Sequence, residues 1–339
     1  MRTLVIGASG LVGTHLLREA RRRGHAALGT RFRHLRPGLF RLDLRDGPAV
    51  QELVRGYRPD VVFVAAGCPD AGAEVRPEEC LALERDGVAE VAVAVRACWG
   101  DLGTRSAERG ARNSEPAAPE ESGGLPFRAP PSEFSAPRLV FFSGGEVFGD
   151  GAGARGEDDA PAPAGARGAS KAAAEECLRS IVPDQHIVVR TSMVFGTDEP
   201  GEDWASHVLW RLRRGERVLA ADDRPVQPTY APDLAAAALD LVEAGRAGTF
   251  HVVGPEKRTE FTFARMLAHV FHLDALLVEP VPAAELYAKK ERPGRATLSR
   301  LKLREALGGL VLRPTAEALR DWRARLSLAA DRPLLLRAA

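Results

Sequence analysis

The stretch that decides the fold is RTLVIGASGLVG (residues 2–13). RTLVI up to Ile6 is of strand length with an apolar end, and Gly7, Gly10 and Gly13 follow in the spacing GxxGxxG, the last of them inside LVGTHLLREARRRG (11–24), which has helical periodicity and ends on glycine. In a strand–turn–helix of this kind the first glycine permits the tight turn, the second lets the backbone approach a pyrophosphate, and the third lets helix and strand pack closely. The phosphates then meet the positive N-terminal end of the helix. We therefore read a dinucleotide cradle at Gly7, Ser9, Gly10, Leu11, Val12 and Gly13.

The flanking pattern extends this reading. HAALGT (25–30), DVVFVAAG (60–67), RLVFFSGG (138–145) and HIVVRTSMVFG (186–196) are continuous apolar strands, with helical segments at 48–59 and Glu84–Cys98 between them. Strands without polar alternation, separated by helices, predict an α/β protein with a doubly wound parallel sheet of Rossmann type. DWASHVLWRLRRG (203–215), DLAAAALDLVEAG (233–245) and FTFARMLAHVFHL (261–273) add helices. We expect a dinucleotide-binding domain over 1–192 with a returning segment at 227–254. A smaller C-terminal lobe would be built from 193–226 and 255–330, with Trp204, Trp210 and Trp322 in its packing. Residues 101–136 are rich in Pro, Gly, Ser, Glu and Arg without apolar periodicity, and are expected to form a disordered insertion.

At the end of the second strand stand Thr30, Arg31 and Arg33, where NAD sites usually carry an acidic residue for the ribose hydroxyls. An arginine there can pair with a 2′-phosphate, so NADP(H) is favoured over NAD(H), the alternative being solvated surface arginines. Asp43 and Leu44 fall where an adenine edge would lie, and Ala65, Ala66 and Gly67 end the third strand against the cofactor.

Bulk properties exclude other classes. The 339 residues carry 47 basic and 46 acidic side chains, a net charge of +1, so there is no field for nucleic acid. No apolar run approaches the length of a membrane span, and a cytoplasmic location is expected. Cys68, Cys80, Cys98 and Cys177 lack metal-site spacing and are expected to be reduced thiols, with no metal site.

Taken together, GASGLVG (7–13), PDVVFVAAG (59–67), LVFFSGGEVFG (139–149), EDDAPAP (157–163), GASK (168–171), VVRTSMVFG (188–196), PTYAPDLAAA (228–237), FHVVGPEKRTEFTFARML (250–267) and ERPGRATLSRLKLREALG (291–308) resemble the extended short-chain dehydrogenase/reductase family. Within it they are most similar to the dTDP-4-dehydrorhamnose reductase group, which includes the regulatory subunit of methionine adenosyltransferase. The resemblance implies a nucleotide-sugar, or alternatively a protein, as partner, with homodimerisation open. It also implies four catalytic positions: a proton-donating tyrosine, a lysine four residues later, a Ser or Thr hydroxyl and an asparagine. Lys171 matches. Arg167 stands at the tyrosine position, Gly144 at the hydroxyl position and Glu84 at the asparagine position. A guanidinium does not release its proton near neutrality, so ordinary ketone reduction is expected to be crippled. Ser143, one step before Gly144, is either a strand-end hydroxyl or a substitute donor. Glu146 occupies the place of a glutamate acid/base in related 4,6-dehydratases, or is a solvated carboxylate. Lys171 itself is expected to hold cofactor ribose. Arg190 and Arg292 are candidates for a diphosphate, with structural ion pairs as the alternative. An active oxidoreductase, a non-catalytic NADP-binding protein and a redox-neutral epimerase or dehydratase all remain compatible with this reading.

Overall fold

The computed structural model describes residues 1–68, 76–109, 138–149, 153–196, 203–287, 296–309 and 312–330. Seven strands form one sheet: β1 (Arg2–Ile6), β2 (Ala26–Arg31), β3 (Phe40–Arg41), β4 (Val61–Val64), β5 (Arg138–Gly144), β6 (His186–Thr191) and β7 (Gly248–His251). Their order is β7-β6-β5-β4-β1-β2-β3, and every pairing is parallel. The chain therefore leaves β1 in one direction toward β2 and returns on its other side with β4. That reversal is the topological switch point, where open α/β sheets bind ligands.

Helices cover both faces, which explains the uninterrupted apolar strands. Val5, Phe63, Val140 and Phe142 point toward α1 (Leu11–Arg22) and the later α6 (Ala231–Glu243). Leu4, Ile6, Val62, Val64, Leu139 and Phe141 point toward α2 (Gly47–Tyr57), α3 (Gly87–Arg109) and α4 (Ala166–Ile181). Local signals set the helix ends. Asp46 accepts a hydrogen bond from the Ala49 amide ahead of α2, with Pro48 in the first turn. Capping boxes at Asp203/Ser206 and Thr259/Thr262 open α5 (Trp204–Arg213) and α7 (Glu260–Val270).

A second core joins α5, α7 and α8 (Thr315–Ala330) around Phe195, Phe263 and the fully buried Trp322. Trp204 stacks on Phe263, and Trp210 lies half-buried against Arg213. Two expectations need correction. The segment predicted disordered from residue 101 begins as helix, since α3 continues to Arg109; residues 110–136 lie outside the described residues. The cysteines are not all reduced, because Cys68 and Cys80 form a disulfide with Cα atoms 5.6 Å apart, with Cys98 and Cys177 outside any disulfide. Sequence spacing gave no hint of that bond, because the crossover after β4 creates it.

Candidate functional site: a dinucleotide cradle facing a lysine between two carboxylates

The glycine turn closes as its spacing requires. Gly7 has φ +82°, a conformation that side-chain-bearing residues rarely adopt, and a Cβ there would lie 2.6 Å from the Ala66 amide nitrogen. At Gly13 a Cβ would run into the Gly7 carbonyl and stand 2.7 Å from the Ala8 Cα, so this glycine lets α1 sit against β1. Gly10 differs, because a Cβ there would meet only the Gly7 carbonyl oxygen, at 3.6 Å. It is the N-cap of α1 and no side chain caps the helix. The first turn of a twelve-residue helix thus presents its amides outward beside a glycine with open space, which fits a pyrophosphate. Ser9, Leu11 and Val12 complete the turn, Ser9 being buried.

Thr30 was expected to face the cofactor. Instead it braces the turn: its hydroxyl accepts from the Gly7 amide at 3.3 Å and its carbonyl accepts from the Ala8 amide at 2.8 Å, with the side chain buried. Arg31 and Arg33 follow, Arg31 half-buried with its Nε lacking a hydrogen-bond partner and Arg33 exposed. A third arginine escaped the sequence reading. Arg36 reaches the Thr14 hydroxyl on α1 at 3.5 Å and so lies alongside the first turn. Asp43 is held below its ordinary pKa, chiefly by its hydrogen bonds from Arg45, and Leu44 is a core residue.

Across the switch point, Lys171 on α4 points back to the end of β4. Its Nζ donates to Glu84 Oε1 at 3.0 Å and lies 5.7 Å from the Phe141 ring centre. Glu84 sits in the π-helical turn Leu81–Asp86 that precedes α3 and is 1% exposed. Its carboxylate also accepts from the Ser170 hydroxyl and, at 3.1 Å, from the Cys68 amide. Burial alone would raise the Glu84 pKa, but the Lys171 charge and these donors hold it below the usual carboxylate value. Burial alone would lower the Lys171 pKa; Glu84, with Glu146 adding to it, holds it above the usual lysine value. Gly67 belongs here too, since a Cβ would stand 2.9 Å from Glu84 Oε1 and 3.7 Å from Lys171 Nζ. Ala65 and Ala66 link it to β4.

Glu146 lies in the short 3₁₀ turn Gly145–Phe148 after β5. Its carboxylate occupies the space that a side chain at residue 144 would need, the carboxyl carbon lying 2.6 Å from an ideal Cβ on Gly144. The hydroxyl position is thus filled by a carboxylate borrowed from two residues along. Thr191, in register with Gly144 on the neighbouring strand and therefore on the same face, carries a buried hydroxyl with no hydrogen-bond partner. Arg167 occupies the first turn of α4, half-buried, one turn before Lys171.

Two sequence candidates leave the site. Ser143 donates to Glu175 Oε1 at 2.6 Å, and Arg190 spans the same carboxylate with Nε at 3.0 Å and Nη2 at 2.6 Å. Both are buried beneath α4 on the sheet face opposite Gly144, and Arg190 makes the structural ion pair given as its alternative reading. Arg292 lies outside the described residues.

The three tyrosines have other employment. Tyr57 donates to the Ala26 carbonyl at 2.5 Å, Tyr230 to Asp321 at 2.5 Å, and Tyr287 to Glu260 at 2.8 Å. Each phenol is pushed above its ordinary pKa, with burial the first cause, Tyr57 to about 12. A phenol that hands over its proton near neutrality needs a neighbouring cation to lower its pKa, and these three have shifted the other way.

The parallel order around the switch point and the glycine cradle define a Rossmann-type dinucleotide-binding fold. The chain belongs to the family described as RmlD substrate binding domain, whose model matches residues 1–102 and 133–328. The unmatched stretch between them falls inside the insertion recognised by composition. Among relatives, the dTDP-4-dehydrorhamnose reductase of Mycobacterium tuberculosis is 30% identical, over 98% of this chain and 93% of its own length. Methionine adenosyltransferase 2 subunit beta of Danio rerio is 27% identical, over 94% and 89%. Among solved structures, dTDP-4-dehydrorhamnose reductase from Bacillus anthracis in complex with NADP superposes with a TM-score of 0.75 at 23% identity, covering 96% of this chain and 99% of that one. Among the described residues, no helix is long and apolar enough to cross a membrane.

Proposed function

We propose that this chain binds a dinucleotide, NADP(H) in preference to NAD(H), and that its reductase activity on a nucleotide 4-keto-sugar is weak or absent. The observation that carries this reading is the surroundings of Lys171: its ammonium is hydrogen-bonded to Glu84 and lies in the field of Glu146, while every tyrosine hydroxyl is hydrogen-bonded elsewhere. The amides of the first turn of α1 hold the pyrophosphate, and Arg31 and Arg33 receive the 2′-phosphate. Lys171 holds the ribose beside the reacting end. When bound, the dinucleotide supplies or accepts a hydride.

The proton is the difficulty. Arg167 stabilises negative charge but gives up no proton at neutral pH. Loss of a general acid costs on the order of 10²–10⁴ in rate. Removing a hydroxyl donor adds about 10²–10³, by analogy with deletions of oxyanion-hole groups. A second reading is favoured by Glu146. A carboxylate standing at the vacated hydroxyl position, in the field of Lys171, can take a proton from carbon next to a carbonyl, which is redox-neutral epimerase or dehydratase chemistry. A protein partner is the third option, in keeping with the relative named as a methionine adenosyltransferase subunit.

The test is titration with NADPH by fluorescence energy transfer, followed by NADPH oxidation with dTDP-4-keto-6-deoxy sugars. The parent should bind and turn over slowly. The rebuilt site Glu84→Asn, Gly144→Thr, Arg167→Tyr, in which the threonine displaces the Glu146 carboxylate, should gain activity. Parent turnover in the range of about 1–10³ per second would overturn the reading. Solvent-hydrogen exchange into the sugar without NADPH consumption, lost in Glu146→Gln, would establish the redox-neutral alternative.

A further inference from the structure

We infer that Cys68–Cys80 is a redox-active disulfide that sets the position of Glu84 and, through it, of Lys171. The bond ties together the two backbone segments that build the Glu84 site. Cys68 lies just past β4, and its amide donates to Glu84 Oε1, the same oxygen that receives the Lys171 ammonium. Cys80 closes the short helix Pro77–Cys80 and directly precedes the π-helical turn that carries Glu84. The covalent link and the amide–carboxylate hydrogen bond therefore close one ring through Cys68, Cys80 and Glu84. Opening the S–S bond removes the tie that keeps the Cys68 amide on the carboxylate. The remaining cysteines, Cys98 and Cys177, are outside any disulfide and play no part in this ring.

The chemistry is an exchange with a small dithiol. Cys80 is 1% exposed, whereas Cys68 is partly exposed, so the attacking thiolate reaches the Cys68 sulfur. A mixed disulfide forms there, and Cys80 leaves as a thiolate and takes up a proton. The second thiol of the reductant then displaces Cys68, which is also left as a thiol. Two electrons and two hydrogens pass from the dithiol to the protein, the protein S–S bond breaks, and the reductant closes its own. In the oxidised chain Glu84 is fixed by three donors and Lys171 is held at the end of β4. In the reduced chain the Cys68 amide is released and Lys171 is less firmly placed.

The binding arm of the test rests on the dinucleotide reading above; the other arms do not. Thiol titration of the denatured air-oxidised chain should count two thiols, rising to four after dithiothreitol. NADPH affinity should fall roughly five- to tenfold on reduction, the low end of coupling between two sites. The Cys68→Ser/Cys80→Ser variant should bind like the reduced chain and ignore dithiothreitol, while Cys98→Ser/Cys177→Ser should keep the full response. Four thiols before reduction, or equal NADPH affinity in both redox states, overturns the inference. If neither state binds NADPH, the dinucleotide reading fails and the decision passes to amine labelling of Lys171, followed by peptide mass spectrometry. Faster labelling in the reduced chain supports the switch, and equal rates overturn it.

Discussion

Replacing Glu84 by Gln should cost more stability than any surface substitution, and the cost should vanish in part when Lys171 is replaced as well. Glu84 is almost fully buried and Lys171 has 12% of its side chain exposed, so solvent screens the pair weakly. Removing one partner of such a pair leaves the other charge uncompensated, at about 3–5 kcal/mol. The single glutamine amide oxygen can still accept from the Cys68 amide, and Ser170, whose hydroxyl also donates to the Arg167 carbonyl, can accept from the new NH2 group, which places the expected loss near the low end, about 3 kcal/mol. In thermal unfolding of a chain of this length that is a drop of roughly 4 °C. Lys171→Met should fall by a similar amount, because the carboxylate is then buried without its cation. The double variant Glu84→Gln/Lys171→Met has no buried charge and should lie well above the sum of the two losses, with a coupling of about 2 kcal/mol or more. The pH dependence has a definite sign. The folded carboxyl is depressed, so its contribution is complete above the ordinary glutamate pKa and is lost as pH falls through the lowered folded value. Glu84→Gln should therefore flatten the acid limb of the stability curve. Additive losses in the cycle, with coupling below about 0.5 kcal/mol, would refute the claim that the two side chains compensate each other's burial.

Other outcomes separate binding from folding. Gly10→Ala has room for its methyl and should keep the parent unfolding temperature while weakening NADPH binding; Gly13→Ala collides with backbone and should lose about 1–3 kcal/mol of stability. Loss of NADPH binding in neither variant would count against the cradle. Arg31→Glu should reverse a preference for NADPH over NADH by roughly tenfold or more, read by parallel titrations of the two cofactors. His251 is buried, and burial first, then Arg190, lowers its pKa to about 3. The unfolded chain takes up that proton at the ordinary histidine value and the folded chain resists it. Parent stability should therefore decline as pH falls below about 6.5, more steeply than in His251→Gln.

The fold was legible because local pattern encodes it. The apolar strand before Gly7, the glycine spacing and the unbroken runs at 60–67, 138–145 and 186–191 each report burial on both faces of a sheet, and sequential crossovers leave few orders for such strands. The site was legible only as far as local chemistry reaches. Lys171 and Glu84 were recognisable as positions, but 87 residues separate the two ends of their ion pair. Which charge lands opposite which is decided by the packing of α4 against the π-helical turn, and no periodicity records that. Arg190 was ambiguous because a strand-end arginine reads the same whether it faces a ligand or, as here, Glu175 on α4. Thr30 has a role that pattern does not record: its hydroxyl accepts from the Gly7 amide and braces the turn. The signal that could have revealed Thr191 is its place one strand over from Gly144, which becomes visible once the register is known.

Helix α3 runs to Arg109 and β5 opens at Arg138, so the added segment enters and leaves at the rim of the sheet where β5 begins. Gly7, Gly67 and Gly144 all lie at the opposite rim, where strands end. The junctions of that segment thus lie across the sheet from the glycine turn. A change of length between those two points therefore need not move the glycine turn, Gly67 or Gly144.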